Sequence, residues 1–385
     1  MEGQDPEMSR VFIRSASALP VSEYWAKSLA DLMTDAAIKA IDAAGVEKVD
    51  KIIVGNMMSG YANHQEHLGA LLASSLGMRG VEAMKVEAAC GSGGAAVHEG
   101  YLSVKSGEYE NVLVVGVEKM KDMDTPKATK ALAMAESSDF TQAVGASFIS
   151  LNALLMRLYM NSYNIEEELM DYFPVIAHKN AVTSPHAQYR KAITIEDVRR
   201  SQVIADPIRL LSSAPSGDGA AAVVLSAKEG SVEILSSEIA TNDLIVAQRE
   251  EPLRFLATEF AFKRAMQKSG ISLQDIDFIE VHDAFPVVAS LALEAMGISK
   301  KGKAPQDAAN GRFNMGSELP ILTFGGLKAR GHPVGATGAY QIAEAFMQLA
   351  GTAGQNQVNG AKVGVTHNVG GVDTTAVIHT LRRVE

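Results

Sequence analysis

Cysteine is almost absent from this sequence, with Cys90 the only one in 385 residues. No intramolecular disulfide and no cysteine-rich zinc site can be built from a single thiol. Long apolar runs are missing too: no stretch of about 18 apolar residues occurs, so a membrane-spanning helix is not expected. The opening MEGQDPEMSR has no apolar core of the signal-peptide kind, which points to a cytoplasmic protein. Positive charge is in deficit, with 35 Lys and Arg against 45 Asp and Glu and a net charge of -10. That balance argues against a nucleic-acid partner, while leaving room for a local basic patch that holds a nucleotide phosphate. No GxGxxG follows a strand-like segment, and neither a P-loop nor an HExxH is present. Dinucleotide binding, nucleoside-triphosphate hydrolysis and zinc proteolysis therefore find no support.

What is present is an ordinary globular composition, 47% hydrophobic and 21% charged, long enough for two or three domains and a large core. Apolar residues at helical spacing predict a helix from Tyr24 to Gly45, followed by a strand over Lys51 to Val54. A similar unit comes much later, a helix over Thr258 to Gly270 and a strand over Asp277 to Val281. Setting AIKAIDAAGV over FKRAMQKSGI places Gly45 on Gly270 and Ala40 on Ala265. The echo continues in CGSGGAAVHEG from Cys90 and HPVGATGAYQIAE from His332, each a glycine-rich turn leading into a helix. It closes with GDGAAAVVLS from Gly217 and GGVDTTAVIH from Gly370. The shared order predicts an internal duplication, with halves at 1–228 and 229–385 built from layered α/β units. The stretch from about 120 to 207 has no counterpart and reads as an inserted, mostly helical substrate-binding region.

Four settings carry chemistry. Cys90 follows the strand-like MKVEAA and precedes glycines that let a ligand approach closely. A thiol at a helix amino terminus sits among free N–H groups and the positive end of the dipole, and both favour the nucleophilic thiolate. The plain alternative is a small buried hydrophobe. His332, in GGLKARGHPVGATG, lies on a stiff loop that presents the ring, as a general base requires. Otherwise it is a loop histidine capping a turn. His282 and Asp283 end the strand DFIEV, where side chains project into clefts. His282 suits donation to an oxyanion, and Asp283 suits holding a neighbouring element; an HD pair is as readily a surface feature. His367 and Asn368 precede Gly370 and Gly371, in a turn whose N–H groups suit an oxyanion or simply close a tight loop. His64, His67, His98, His178, His186 and His379 lack such settings and read as structural or surface, as do Glu87 and Glu118.

Together these blocks resemble the thiolase superfamily over essentially the whole chain. CGSGG at Cys90, HDAF at His282 to Phe285, GHPVGATG at His332 to Gly338 and the late NVGG come in the family's order. HDAF, in place of the commoner Asn-Glu-Ala-Phe, is similar to the archaeal and sterol-carrier-protein groups. The resemblance implies a five-layered αβαβα fold from two similar halves and a reversible Claisen condensation of two acetyl-CoA to acetoacetyl-CoA. It implies that Cys90 carries the acyl group, that His332 activates the thiol and that His282 binds a thioester oxygen. The N–H groups of Cys90 and Gly370 would form an oxyanion site, with Ala284, Phe285, Gly325 and Gly326 along the substrate tunnel.

One departure matters. The second cysteine of ordinary thiolases falls at Asn368, and the alternative cysteine of the sterol-carrier-protein type falls at Ala284. The acid/base of the carbon–carbon step is then left to His332, His282, His367 or a water. Before Gly325 the family's Asn-x-Ser is replaced by Leu322, Thr323 and Phe324, a packing change. The resemblance further implies coenzyme A as substrate and product, no tightly bound cofactor, no metal, and a homodimer or homotetramer. It also implies assembly with hydroxymethylglutaryl-CoA synthase through a zinc-containing OB-fold protein, feeding the mevalonate route to isoprenoids. Lys179, Arg190, Arg199 and Arg200 are candidates for the coenzyme A phosphates by location alone. Acyl transfer to another acceptor, retro-aldol cleavage and a non-catalytic acyl-CoA-binding scaffold are the competing readings.

Overall fold

A computed structural model of the chain describes residues 10–384. The amino-terminal stretch read above for a signal core lies, up to residue 9, outside the described residues. Strands β1 (Phe12–Ala18), β2 (Lys51–Gly55), β3 (Glu82–Val86) and β4 (Asn111–Glu118) come first. A short hairpin, β5 (Val203–Ala205) and β6 (Ile208–Arg209), precedes β7 (Gly219–Ser226) and β8 (Val232–Thr241). β9 (Phe278–Glu280), β10 (Val363–Gly370) and β11 (Thr375–Arg383) complete the set. Nine of them form one sheet in the order β3-β2-β4-β7-β1-β8-β11-β10-β9.

That order is a repeat. β2-β4-β7-β1 and β9-β10-β11-β8 run inward to the middle of the sheet with the same pairing sense, one parallel pair followed by two antiparallel pairs. The halves join where β1 meets β8 over only Phe12↔Glu233 and Ile13↔Val232. A parallel bridge between Ile279 and Ile321 stands where β3 has its place in the first half.

Helices α1 (Leu29–Ala44), α2 (Ser92–Lys105), α3 (Thr125–Ala133), α4 (Leu256–Ser269) and α5 (Thr337–Leu349) build the layers around it. α1 starts at Leu29 rather than Tyr24 because Ser28 and Asp31 form a capping box, whereas the Tyr24 N–H is held by Asp218. Its buried face, Leu29, Leu32, Met33, Ala36, Ala37 and Ala40, has helical spacing and packs on the first half-sheet. α4 covers the second half-sheet, and α2 and α5 lie against each other between the two. The result is helix, sheet, helix pair, sheet, helix, the five-layered arrangement expected. Gly45 and Gly270 both cap their helices in the left-handed region, at φ 63° and 69°, as the aligned repeats required.

Between residues 120 and 207 the chain is mostly helical, with α3 and the helices Phe148–Tyr163, Tyr172–Ala181 and Ile195–Arg200. The second of these packs on the buried helix Pro286–Ala295, which continues the HDAF block. Among the described residues no helix is long and apolar enough to cross a membrane.

Candidate active site

Cys90 lies in the elbow between β3 and α2. Ala89 adopts φ +50° without being glycine, a conformation that costs about 1–2 kcal/mol for a side chain with a Cβ. Ser92 braces the turn: its hydroxyl accepts the Ala88 N–H at 2.9 Å and donates to the Ala89 carbonyl at 2.6 Å. The thiol is 3% exposed, and burial pushes it up to about 12, with the Glu118 carboxylate adding to the effect. The expected thiolate therefore does not form at rest. Desolvation outweighs the helix terminus, and the sulfur must lose its proton in the reaction itself. Alkylation of Cys90 by iodoacetamide should accordingly be slow at pH 7, rising about tenfold per pH unit to beyond pH 10. A plateau below pH 9, read from rate against pH, would contradict this.

His332 shares a cavity of about 200 Å³ with Cys90. Its Nδ1 is 2.7 Å from the Thr337 hydroxyl, and burial, reinforced by Arg330, pushes it down to about 3. At neutral pH the imidazole is uncharged and able to accept a proton. Sequence pattern alone does not mark Thr337; its signal is the Gly-Ala-Thr-Gly turn after His332, which brings position 337 back under position 332.

His282 packs edge-on against His332, ring centroids 5.4 Å apart at 89°. Its Nδ1 accepts from the Val369 N–H at 3.3 Å and the Asn368 side-chain amide at 3.2 Å. Both partners are donors, so the proton of neutral His282 is on Nε2. Burial, and secondly His332, hold its pKa well below the ordinary histidine value. Asn368 is fixed by its other contacts, since its oxygen accepts the Gly94 N–H at 3.1 Å and its nitrogen donates to the Cys90 carbonyl at 3.1 Å. One amide thus ties the nucleophile turn to the His282 ring. Asn368→Ala takes this partner from the Gly94 N–H and the Cys90 carbonyl, and leaves His282 Nδ1 with the Val369 N–H alone. It should lower stability by about 2–3 kcal/mol in urea titration and slow Cys90 acylation about tenfold or more.

His367 departs from the sequence expectation. Neighbours on a strand face opposite sides, and while Asn368 faces α2, His367 faces α4. Its Nε2 meets the Thr258 hydroxyl at 3.0 Å, and its Nδ1 accepts the His282 N–H at 3.3 Å. Thr258 donates to Asp373 at 2.6 Å and so receives the Nε2–H. With both nitrogens engaged away from the cavity, His367 positions the His282 backbone and has no free lone pair for acid/base work.

Ala284 and Phe285 line the cavity, joined by Leu132 of α3 and by Phe148, whose ring lies 6.1 Å from that of Phe285. Gly325 and Gly326 do not line this cavity. A Cβ on Gly325 would lie 2.6 Å from that of Ala181, and one on Gly326 would lie 2.5 Å from an Asp283 oxygen. They shape the turn that Asp283 caps by accepting the Leu327 N–H at 2.6 Å. Thr323, just before them, binds Glu280 through its N–H at 3.0 Å, and Phe324 stacks near His186, so the altered triplet is packing. Gly370 is pressed against the nucleophile turn: a Cβ there would lie 2.1 Å from the Ala88 carbonyl oxygen. Glu118 knits the floor, accepting from the Asn56 side chain and the N–H groups of Met57, Met58 and Gly335 at 2.8–3.2 Å.

A thiol and a neutral imidazole lining an apolar cavity, with a second imidazole packed against the first, are the parts of a covalent acyl-transfer centre. Residues 11–229 match the family described as "Thiolase, N-terminal domain", and residues 239–383 match "Thiolase C-terminal domain-like". The chain belongs to the thiolase family and is an enzyme of that type. It is 38% identical over 385 residues to the acetyl-CoA acetyltransferase of Methanothermobacter thermautotrophicus, covering 98% of this chain and 100% of that one. It is 30% identical over 367 residues to sterol carrier protein 2 of Homo sapiens, covering 88% of this chain and 65% of the relative. The resemblance read from the four motifs is thereby borne out. A solved structure described as an Ltp2-ChsH2(DUF35) aldolase superimposes with a TM-score of 0.84 at 23% identity, over 97% of this chain and 98% of that one, a likeness of fold.

Proposed function

We propose that the chain catalyses the reversible Claisen condensation of two acetyl-CoA to acetoacetyl-CoA and coenzyme A, through an acyl group on Cys90. The observation that carries this reading is the uncharged His332 sharing one apolar cavity with the protonated Cys90. His332 takes the thiol proton as the sulfur attacks the thioester carbonyl. The tetrahedral oxyanion rests on the N–H groups of Cys90 and Gly370. Its collapse expels coenzyme A thiolate, which His332 reprotonates. In the second half-reaction the Nε2–H of His282 donates to the thioester oxygen of the incoming acyl-CoA, stabilising its enolate. Coenzyme A is substrate and product, with no tightly bound cofactor.

The same reading takes 1–228 and 229–385 as the two halves and a cytoplasmic dimer or tetramer as the working form. It places the product in the mevalonate route, passed to hydroxymethylglutaryl-CoA synthase through an OB-fold partner. A second reading, acyl transfer to another acceptor or retro-aldol cleavage, is favoured by Asn368 and Ala284, which leave the chain without a second thiol. Thiolysis of acetoacetyl-CoA by coenzyme A decides between them. Cleavage supports the condensation, whereas exchange of labelled coenzyme A into acetyl-CoA without cleavage overturns it and supports the second reading.

A further inference from the structure

The condensation needs a group that takes a proton from the α-carbon of the second acyl-CoA, and most titratable groups around Cys90 are already committed. Glu118 accepts four hydrogen bonds, Asp283 caps its turn, and Glu280 is held by Thr323. Both nitrogens of His367 are engaged, and Nδ1 of His282 is occupied. His332 serves the thiol.

Glu136 is different. It is 4% exposed, no side chain pairs with either carboxylate oxygen, and the backbone N–H of Val372 is the polar group that approaches it. A buried carboxylate without an ion partner costs several kcal/mol if charged, and one backbone N–H offsets only part of that. Its own N–H bonds to Ala133, so it sits one turn beyond α3, which presents Thr129 and Leu132 to the cavity. A Cβ on Gly371 would lie 3.6 Å from one of its oxygens, placing the carboxylate beside the turn that follows Asn368 and Gly370. The nearby Arg249 does not pair with it; that guanidinium is spent on the carbonyls of Asp243 and Val372 and the Thr374 hydroxyl. Burial pushes the Glu136 carboxyl up to about 7, and its charge is among those that raise the Cys90 thiol. A carboxyl poised near neutrality is suited to both taking and returning a proton.

We propose that Glu136 is the acid/base of the carbon–carbon step, filling the role for which this chain has no second thiol. This rests on the acyl-Cys90 reading. The Glu136 side chain rotates toward the cavity when the second acyl-CoA binds and takes the α-proton, and the C–H electron pair becomes the enolate. The enolate carbon attacks the acyl carbonyl of S-acyl-Cys90, forming the C–C bond, and collapse breaks the C–S bond to expel the Cys90 thiolate. The proton on Glu136 equals the one that the thiolate must regain, so the cycle closes without net gain or loss.

The test compares wild type, Glu136→Gln and Glu136→Asp in three assays. These are labelled coenzyme A exchange into acetyl-CoA, deuterium uptake into acetyl-CoA from D2O, and acetoacetyl-CoA thiolysis. The expected result for Glu136→Gln is coenzyme A exchange within about threefold of wild type, with deuterium uptake and thiolysis down about 100-fold or more. Glu136→Asp, keeping a carboxylate, should recover part of both. A Gln variant that lowers all three assays alike, or none, overturns the proposal, as does an Asp variant no better than Gln. Wild-type deuterium uptake without thiolysis would sink the condensation reading alone, leaving Glu136 to be judged by the variants' uptake. Absence of uptake in wild type overturns both.

Discussion

Replacing Cys90 by alanine should abolish labelled coenzyme A exchange and acetoacetyl-CoA thiolysis together, each by on the order of 10⁴-fold or more. Both assays must fall because both pass through the same C–S bond. A residue acting only in the carbon–carbon step would spare the exchange. The fold should survive, since the thiol makes no side-chain hydrogen bond that alanine would orphan, and the turn is braced by Ser92 and by Asn368 on the Cys90 carbonyl. The lost sulfur leaves only a small void, worth about 1 kcal/mol. Serine is a harsher test of mechanism. A hydroxyl in the same buried elbow is a far weaker acid than the thiol, and neutral His332 is a weak base in this setting. Cys90→Ser should therefore be nearly as inactive as alanine while unfolding at nearly the wild-type denaturant concentration. Thiolysis in Cys90→Ala above one-hundredth of wild type would remove Cys90 from the mechanism and leave the cavity as a binding site.

How much of this was legible in the sequence depends on range. The ends of α1 and α4 were readable because a left-handed glycine stop is local chemistry, and Gly45 and Gly270 meet it in the structure. The start of α1 was misplaced because apolar spacing extends past Ser28, and only the distant Asp218 explains why Tyr24 is held outside the helix. Cys90 and His332 stood out because glycine and proline neighbours make them poor packing choices. His367 and Asn368 could be separated into opposite faces by strand alternation, but not assigned to inside and outside. That assignment depends on which helix, α2 or α4, covers which side of β10. Arg330 was the least legible. A charged residue two positions before His332 in a glycine-rich loop reads as surface, yet it is fully buried, 3.1 Å from Glu344 and over the Tyr340 ring. Its partners come from remote segments, with His186 also 2.8 Å from Glu344, so no local pattern announces the cluster.

The second large effect concerns a glycine whose motif membership hides what it does. Gly338 ends GHPVGATG and sits in the first turn of α5, where helix propensity alone favours alanine by up to about 1 kcal/mol. The structure reverses that sign. A Cβ on Gly338 would lie 2.1 Å from the Gly94 backbone nitrogen and 2.3 Å from the Asn368 side-chain oxygen. A Cβ on Gly93 would in turn lie 2.8 Å from the Ala339 nitrogen, so α2 and α5 meet through their backbones. Neither neighbour can yield cheaply, because Gly94 is fixed within α2 and Asn368 is held by Cys90, Gly94 and His282. Overpacking at such a contact costs about 3 kcal/mol or more, which outweighs the propensity gain. Gly338→Ala should thus lower the urea midpoint markedly, and the molecules that remain folded should acylate Cys90 slowly because Asn368 has been pushed from its three partners. Equal or higher stability in the variant would mean that the two helices are not in backbone contact. It would also mean that the central layer, which brings Cys90 and His332 to one cavity from opposite halves of the chain, is packed differently from the arrangement described above.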